Sequence, residues 1–317
     1  MIATELDSAA PEDARAIADE ICRRHGDSVA AVLYYGSCLR KKTVDGGVLD
    51  FYALVDSYSA AYEGAPLMTL SNAMLPPNAF YVELPAGPGR PKELRFKYNI
   101  ITTADFAHGT SMSSLHAIIW GRFCQPAALV YARDDAARTN VESMMTDAVI
   151  TAVAHMVSFL PGEGDSVRFT PEALWQGGFR ETYSSEFRTE RPETIQQLYR
   201  ANPQRFDAMA SAALRELDAG GVLHFEQGEA DCIVRLPERS RRRSQVQWRT
   251  RKAVAKALYF PRLLKSAATF GDWLPYALWK LKRHTGVEIE PTERQKRHPL
   301  IWGWPVLFRL LKEQSLR

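Results

Sequence analysis

A chain of 317 residues with 46% hydrophobic and 24% charged residues has the balance of a globular protein of about two domains. That balance excludes a wholly disordered chain, a collagen-like repeat and a disulfide-stapled miniprotein. The net charge of +3 hides an asymmetry: residues 235–317 carry 20 Lys/Arg against 6 Asp/Glu, whereas the preceding 234 residues carry 20 against 31. A C-terminal quarter this basic seeks an anionic surface, either lipid or nucleic acid.

The predicted elements run as follows. Residues 11–24 form an amphipathic helix, and residues 28–35 (SVAAVLYY) are a buried strand by their unbroken apolar run. That strand ends in Gly36-Ser37, and a polar stretch leads to a second strand at 48–55 (VLDFYALV). A helix at 65–74 is stopped by Pro76-Pro77. Residues 79–84 and 93–102 read as a strand pair around a Pro/Gly-rich loop, 113–120 as a helix and 127–131 as a strand. After Asp134 helices dominate, at 141–159, 171–185, 192–200 and 203–217, followed by a hairpin at 222–226 and 232–236. Helices followed by a hairpin predict a winged-helix-like module. The expected fold class is therefore α+β, with a mixed sheet and helices in 1–135, the helical module in 136–238 and a basic amphipathic helical tail in 239–317.

Cys22, Cys38, Cys124 and Cys232 are scattered with no C-x-x-C pair, as expected of reduced thiols in a cytosolic protein. The acidic first 24 residues lack the basic and apolar regions of a signal peptide. No uncharged apolar stretch reaches the roughly 18 residues of a spanning helix; the closest, 115–131, is broken by Arg122 and Pro126.

The sharpest chemical signal is the strand, Gly36-Ser37, then Asp50 inside the next strand, a layout used by nucleotidyltransferase-fold enzymes. A glycine lets the backbone approach a triphosphate closely. A serine hydroxyl and neighbouring amides at a helix start bind phosphate oxygens, and a carboxylate on the neighbouring strand holds Mg²⁺ against them. Without a function the same residues are a plain strand-to-loop turn, although a lone carboxylate between Leu49 and Phe51 is costly unless paired. Polymerase-type members carry Asp-x-Asp; here Tyr52 stands at the second position, so a second metal ligand must come from elsewhere. Glu83 is the candidate, ahead of Asp56, with an exposed strand face as the alternative reading. A missing carboxylate matters less when the attacking group is already an anion, because a hydroxyl nucleophile needs a base and a phosphate monoester does not.

Tyr35-Gly36-Ser37, Asp50-Phe51-Tyr52 through Val55, Lys97-Tyr98 before an apolar strand, and Gly121-Arg122 with Gln125-Pro126 occur in an order that resembles the mitochondrial-type phosphatidate cytidylyltransferases, the peripheral CDP-diacylglycerol synthases. Residues 182–189 (TYSSEFRT) are similar to a segment of that family's helical domain, and the resemblance covers about residues 30–236. It implies a nucleotidyltransferase fold in which Tyr35, Gly36 and Ser37 meet the CTP phosphates and Asp50 binds Mg²⁺. Lys97 and Arg122 would neutralise phosphate charge; a solvated strand lysine and a helix-end ion pair are the alternatives. Tyr183, Glu186 and Arg188 would line the acceptor cleft or join the two domains.

In the tail, cations at 239–243 and 249–256 precede segments where apolar residues recur at helical spacing, with Trp273, Trp279, Trp302 and Trp304 among them. Such helices suit a membrane interface, where each Lys or Arg near an anionic surface contributes up to about 1 kcal/mol. A solvated face packed on the core is the plainer alternative. The expectation is a Mg²⁺-dependent CTP:phosphatidate cytidylyltransferase, cytoplasmic and peripheral on the inner face of the membrane. Its partners would be CTP, phosphatidic acid and an anionic membrane surface, with no nucleic acid. The rivals are nucleotidyl transfer to a soluble or protein acceptor, and a non-enzymatic nucleic-acid-binding protein.

Overall fold

The computed structural model describes residues 1–8, 10–43, 47–86, 93–185, 192–228, 231–269 and 292. Helices α1 (Ile2–Leu6) and α2 (Glu12–His25) precede β1 (Val29–Tyr35), α3 (Ser37–Lys41) and β2 (Leu49–Val55). Then come α4 (Tyr58–Ala61), α5 (Pro66–Met74), β3 (Asn78–Leu84), β4 (Leu94–Thr102), α6 (Thr103–Thr110), α7 (Trp120–Phe123) and β5 (Ala127–Ala132). The second half holds α8 (Asp135–Val157), β6 (Ser166–Phe169), α9 (Pro171–Ser185), α10 (Pro192–Arg200), α11 (Pro203–Ala219), β7 (His224–Gln227), β8 (Cys232–Arg235) and α12 (Glu238–Thr269).

The fold is α+β. Its main sheet has five strands in the order β3-β4-β2-β1-β5, with β2 and β4 parallel and the other pairs antiparallel. Both faces are covered, which is why β1 and β2 read as continuous apolar runs rather than as alternating ones. On one face Val32, Tyr34, Phe51 and Ala53 pack with Ala14, Ile17, Ala18 and Ile21, the inward side of α2. On the other, Leu33, Tyr52 and Leu54 pack with Met144, Met145 and Ala148 of α8. That second cluster runs on without a break through Trp175, Phe206 and Val234, so α8 serves both the sheet and the helical module. The module itself is β6, three helices and the β7–β8 hairpin, with its strands in the order β6-β8-β7, the arrangement expected of a winged-helix-like unit.

Two expectations are corrected. Residues 113–120 are not a helix: Ser111 and Ser114 donate to the carbonyls of His108 (2.8 Å) and His116 (2.9 Å), and only α7 is helical there. Serine side chains that bond nearby backbone compete with the helical ladder. Strand β6 was not foreseen, because four residues with only Val167 and Phe169 buried give too short a pattern.

The first part of the basic tail belongs to the fold. Trp248 of α12 is 5% exposed and lies 4.7 Å from the Phe159 ring and 6.1 Å from that of Trp120. Its indole N–H donates to Glu181 (3.2 Å), which also pairs with Lys252 at 2.5 Å. Beside it Arg251 lies 2.7 Å from Nε2 of His155. Burial first, and then the Arg251 charge, hold His155 down to a pKa of about 3, so it is neutral in the fold. An unfolded histidine titrates near 6.5, so this group contributes stability that is fully present above about pH 6.5 and is lost as pH falls towards 3, at up to ~1.4 kcal/mol per pH unit. Thermal unfolding followed from pH 7 to pH 4 is expected to show that slope, and His155→Gln to flatten it; equal slopes in both proteins would assign it to other groups. Among the described residues no helix is long and apolar enough to cross a membrane.

Candidate functional site

At the end of β1 the chain turns through Gly36 with φ 92° and ψ −160°, a conformation that side chains strongly disfavour. A Cβ at this position would lie 2.9 Å from Oδ2 of Asp50, so the glycine is required both by its backbone and by its neighbour. The antiparallel register sets Tyr35 opposite Asp50, which brings the two corners together at one end of the sheet. In the parallel register Asp50 faces Lys97, and Nζ of Lys97 lies 3.0 Å from Oδ1 of Asp50. These side chains are 30% and 24% exposed, so the pair is in contact with solvent.

Ser37 is exposed and begins α3. Five residues make too short a helix for a strong dipole; the cations Arg40 and Lys41 stand in its last turn and Lys42 at its C-cap. Paired strand residues share a face, so Tyr35, Asp50, Lys97 and Asn99 all point to the side covered by α7, α8 and α9. There Asn99 donates to the Tyr35 hydroxyl (3.4 Å) and to the Phe51 carbonyl (3.3 Å). The Tyr35 ring packs on Phe123 at 5.4 Å. Buried Gln125 accepts from Arg40 (3.3 Å) and donates to the Gly121 carbonyl (2.9 Å) and the Tyr183 hydroxyl (3.2 Å). The corner is thereby wired to the helical module through Arg40, Gln125 and Tyr183.

Of the residues singled out in the sequence, the structure brings together Tyr35, Gly36, Ser37, Asp50 and Lys97, with Tyr183 at the far end of the Gln125 link. It does not bring Glu83 to Asp50. Tyr81 stands opposite Lys97 and Glu83 opposite Arg95, which leaves Glu83 two strand widths, about 10 Å, to the side and two residues along. There it accepts from Tyr81 (2.6 Å) and pairs with Arg95 (3.5 Å). Arg122 of α7 donates to the Ile118 carbonyl in the turn just before that helix. Glu186 and Arg188, and Trp273, Trp279, Trp302 and Trp304, lie outside the described residues. Arg40, Lys41, Asn99 and Gln125 were not assigned roles from the sequence; three consecutive cations at 40–42, two residues beyond Gly36-Ser37, were the legible signal. Cavities of about 810 and 340 Å³ lie elsewhere, between α1, α8 and α11 and at the opposite end of β1 and β2 near Asp56, and neither touches Asp50.

Among the described residues no three His, Cys, Asp or Glu side chains converge as a metal site would require on its own. One carboxylate with several cations suits an anionic ligand that brings its own metal-binding oxygens. Comparison of the chain with protein-family models and with curated proteins found no match.

Proposed function

We propose that this chain is a Mg²⁺-dependent nucleotidyltransferase that joins CTP to phosphatidate, releasing pyrophosphate and forming CDP-diacylglycerol. One observation carries the reading: the Gly36 turn closes on the Asp50 carboxylate while Lys97 holds the other carboxylate oxygen. The choice of base and of acceptor rests on the sequence resemblance.

The corner's chemistry is electrostatic. A phosphatidate oxygen attacks the α-phosphorus of CTP; the new P–O bond forms as the bond to the β-phosphate oxygen breaks, and pyrophosphate leaves with that electron pair. The nucleophile is already an anion, so no general base is needed, in keeping with Tyr52 at the place of a second carboxylate. What is needed is positive charge to bring two anions together, and Lys97 and Arg40 would supply it. Mg²⁺ keeps several waters and takes few protein ligands beside substrate phosphates, so Asp50 with the Ser37 hydroxyl fits it. When bound, the ion would neutralise triphosphate charge.

The nucleic-acid reading finds less support from the winged-helix-like module. On its longest helix, α11, Arg205 is buried against Glu5, which leaves Arg215 among Asp207, Glu216 and Asp218, a poor surface for phosphates. That reading would have to rest on basic α12 instead.

Thermal-shift measurements with the four nucleoside triphosphates and Mg²⁺ are expected to show selective stabilisation by CTP. Phosphatidate-containing vesicles are then expected to yield CDP-diacylglycerol. Stabilisation by CTP, with product formed only on a water-soluble acceptor, would overturn the lipid assignment.

A further inference from the structure

Helix α5 carries its apolar face outward. Inward, Met68 packs on the core and wholly buried Asn72 donates to the Tyr62 hydroxyl (2.9 Å) and the Ile100 carbonyl (3.1 Å). Outward stand Pro66, Leu67, Leu70, Ala73 and Met74. Leu67, Leu70 and Met74, spaced three and four apart on one face, are 81%, 57% and 71% exposed. No Asp, Glu, Lys or Arg occurs between Glu63 and Glu83. A single exposed leucine is ordinary, but a whole helix face without charge marks a contact surface.

Basic α12 flanks that face. Residues 238–269 hold ten Lys/Arg and one acid. Lys265 donates to the carbonyls of Leu75 and Pro77 (2.9 Å to the latter), directly after α5. About four turns earlier on the same helix, Arg251 donates to the Met112 carbonyl (3.2 Å), and Met112 and Leu115 are themselves 44% and 61% exposed. Exposed apolar residues thus lie beside two points where the cationic helix meets the sheet domain.

We infer that α5 is a membrane-contacting element: Leu67, Leu70 and Met74 enter the boundary between headgroups and acyl chains of an anionic bilayer, and the cations of α12 meet its phosphates. Apolar side chains beside a cation-rich helix match that interface in both chemistry and charge. A second copy of the chain on the same face would press two strongly basic helices together, an arrangement that like charge opposes. The inference deepens the proposed function by assigning its lipid-facing surface, and it rests on that reading only for why a lipid is approached.

The experiment is cosedimentation of the full chain with vesicles of phosphatidylcholine alone or mixed with phosphatidylglycerol, which is not the proposed substrate. Leu67→Ser/Leu70→Ser/Met74→Ser is expected to weaken binding to the mixed vesicles at least about tenfold, with stabilisation by CTP unchanged. In a Cys22→Ser background, an environment-sensitive fluorophore on Leu70→Cys is expected to shift to the blue on those vesicles, a readout that does not depend on the triple variant folding. Wild-type vesicle affinity in the triple variant, or an unshifted label on vesicle-bound protein, would overturn the inference. So would a triple variant that dissociates a dimer while binding vesicles normally, since the face would then belong to a second copy. Loss of vesicle binding in a protein that never converts CTP would sink the enzymatic reading and leave this one standing.

Discussion

Asp50→Asn is expected to lower CTP turnover by about 10²–10³-fold, the usual cost of removing a preorganised charge from a transfer reaction, while leaving the fold in place. The two magnitudes separate the functional reading from a purely structural one. The Asp50–Lys97 pair is 24% and 30% exposed at a distance of 3.0 Å. Both side chains still reach water, and Asn keeps a polar group beside Lys97, so the loss should lie nearer the surface-pair range of about 0.2–1 kcal/mol than that of a fully buried pair and move the unfolding temperature little. A large fall in turnover beside a small change in stability is the signature of a group that acts on ligand. Lys97→Met is expected to lower turnover as well, and the double variant to fall short of the product of the two effects, because the residues touch. Turnover in Asp50→Asn within a few-fold of wild type would show that the corner has no part in CTP conversion.

Gly36→Ala should strain the backbone and disturb the Asp50 carboxylate together. Its φ of 92° with ψ of −160° lies in a region essentially reserved for glycine, at a cost of about 1–3 kcal/mol for other residues. The new Cβ would also meet Asp50 Oδ2 at 2.9 Å and push the carboxylate from its place beside Lys97. Gly64 supplies the control, with φ of 75° and nothing within 4 Å of the place a methyl would take. Both variants are expected to melt several degrees lower, at roughly 2–4 °C per kcal/mol for a chain of this class. Only Gly36→Ala is expected to lose stabilisation by CTP with Mg²⁺ as well. Equal behaviour of the two in the nucleotide assay would show that the Gly36–Asp50 contact has no part in binding.

Much of the scaffold was legible in order. The apolar runs at β1 and β2 announce strands buried on both faces, and the burial of Val29 to Tyr34 and of Phe51 to Val55 is the reason. The Pro-initiated helices α5, α9, α10 and α11 fall within two residues of their expected starts and ends, since proline at a helix start and apolar spacing are local signals. What failed locally failed for local causes: serines that bond their own backbone at 111–114, and a strand of four residues at β6. Side-chain contacts between distant segments were another matter. Glu83 looks like a metal ligand when only strand membership is known, and the register alone sends it to Arg95.

The amino-acid sequence by itself determined the α+β class, a buried strand ending at Gly36-Ser37, and the cationic character of the last quarter. Each is a property of a short window, where composition, periodicity and turn chemistry decide. Tertiary structure alone decided that β2 runs parallel to β4, which sets Lys97 on Asp50, and that Gln125 links Arg40 to Tyr183. It alone turned the apolar side of α5 outward next to α12. Periodicity says which residues share a face, but which face meets which neighbour is fixed by pairing register and by burial on both sides of the sheet, and a slip of one residue would have put Phe51 where Asp50 stands.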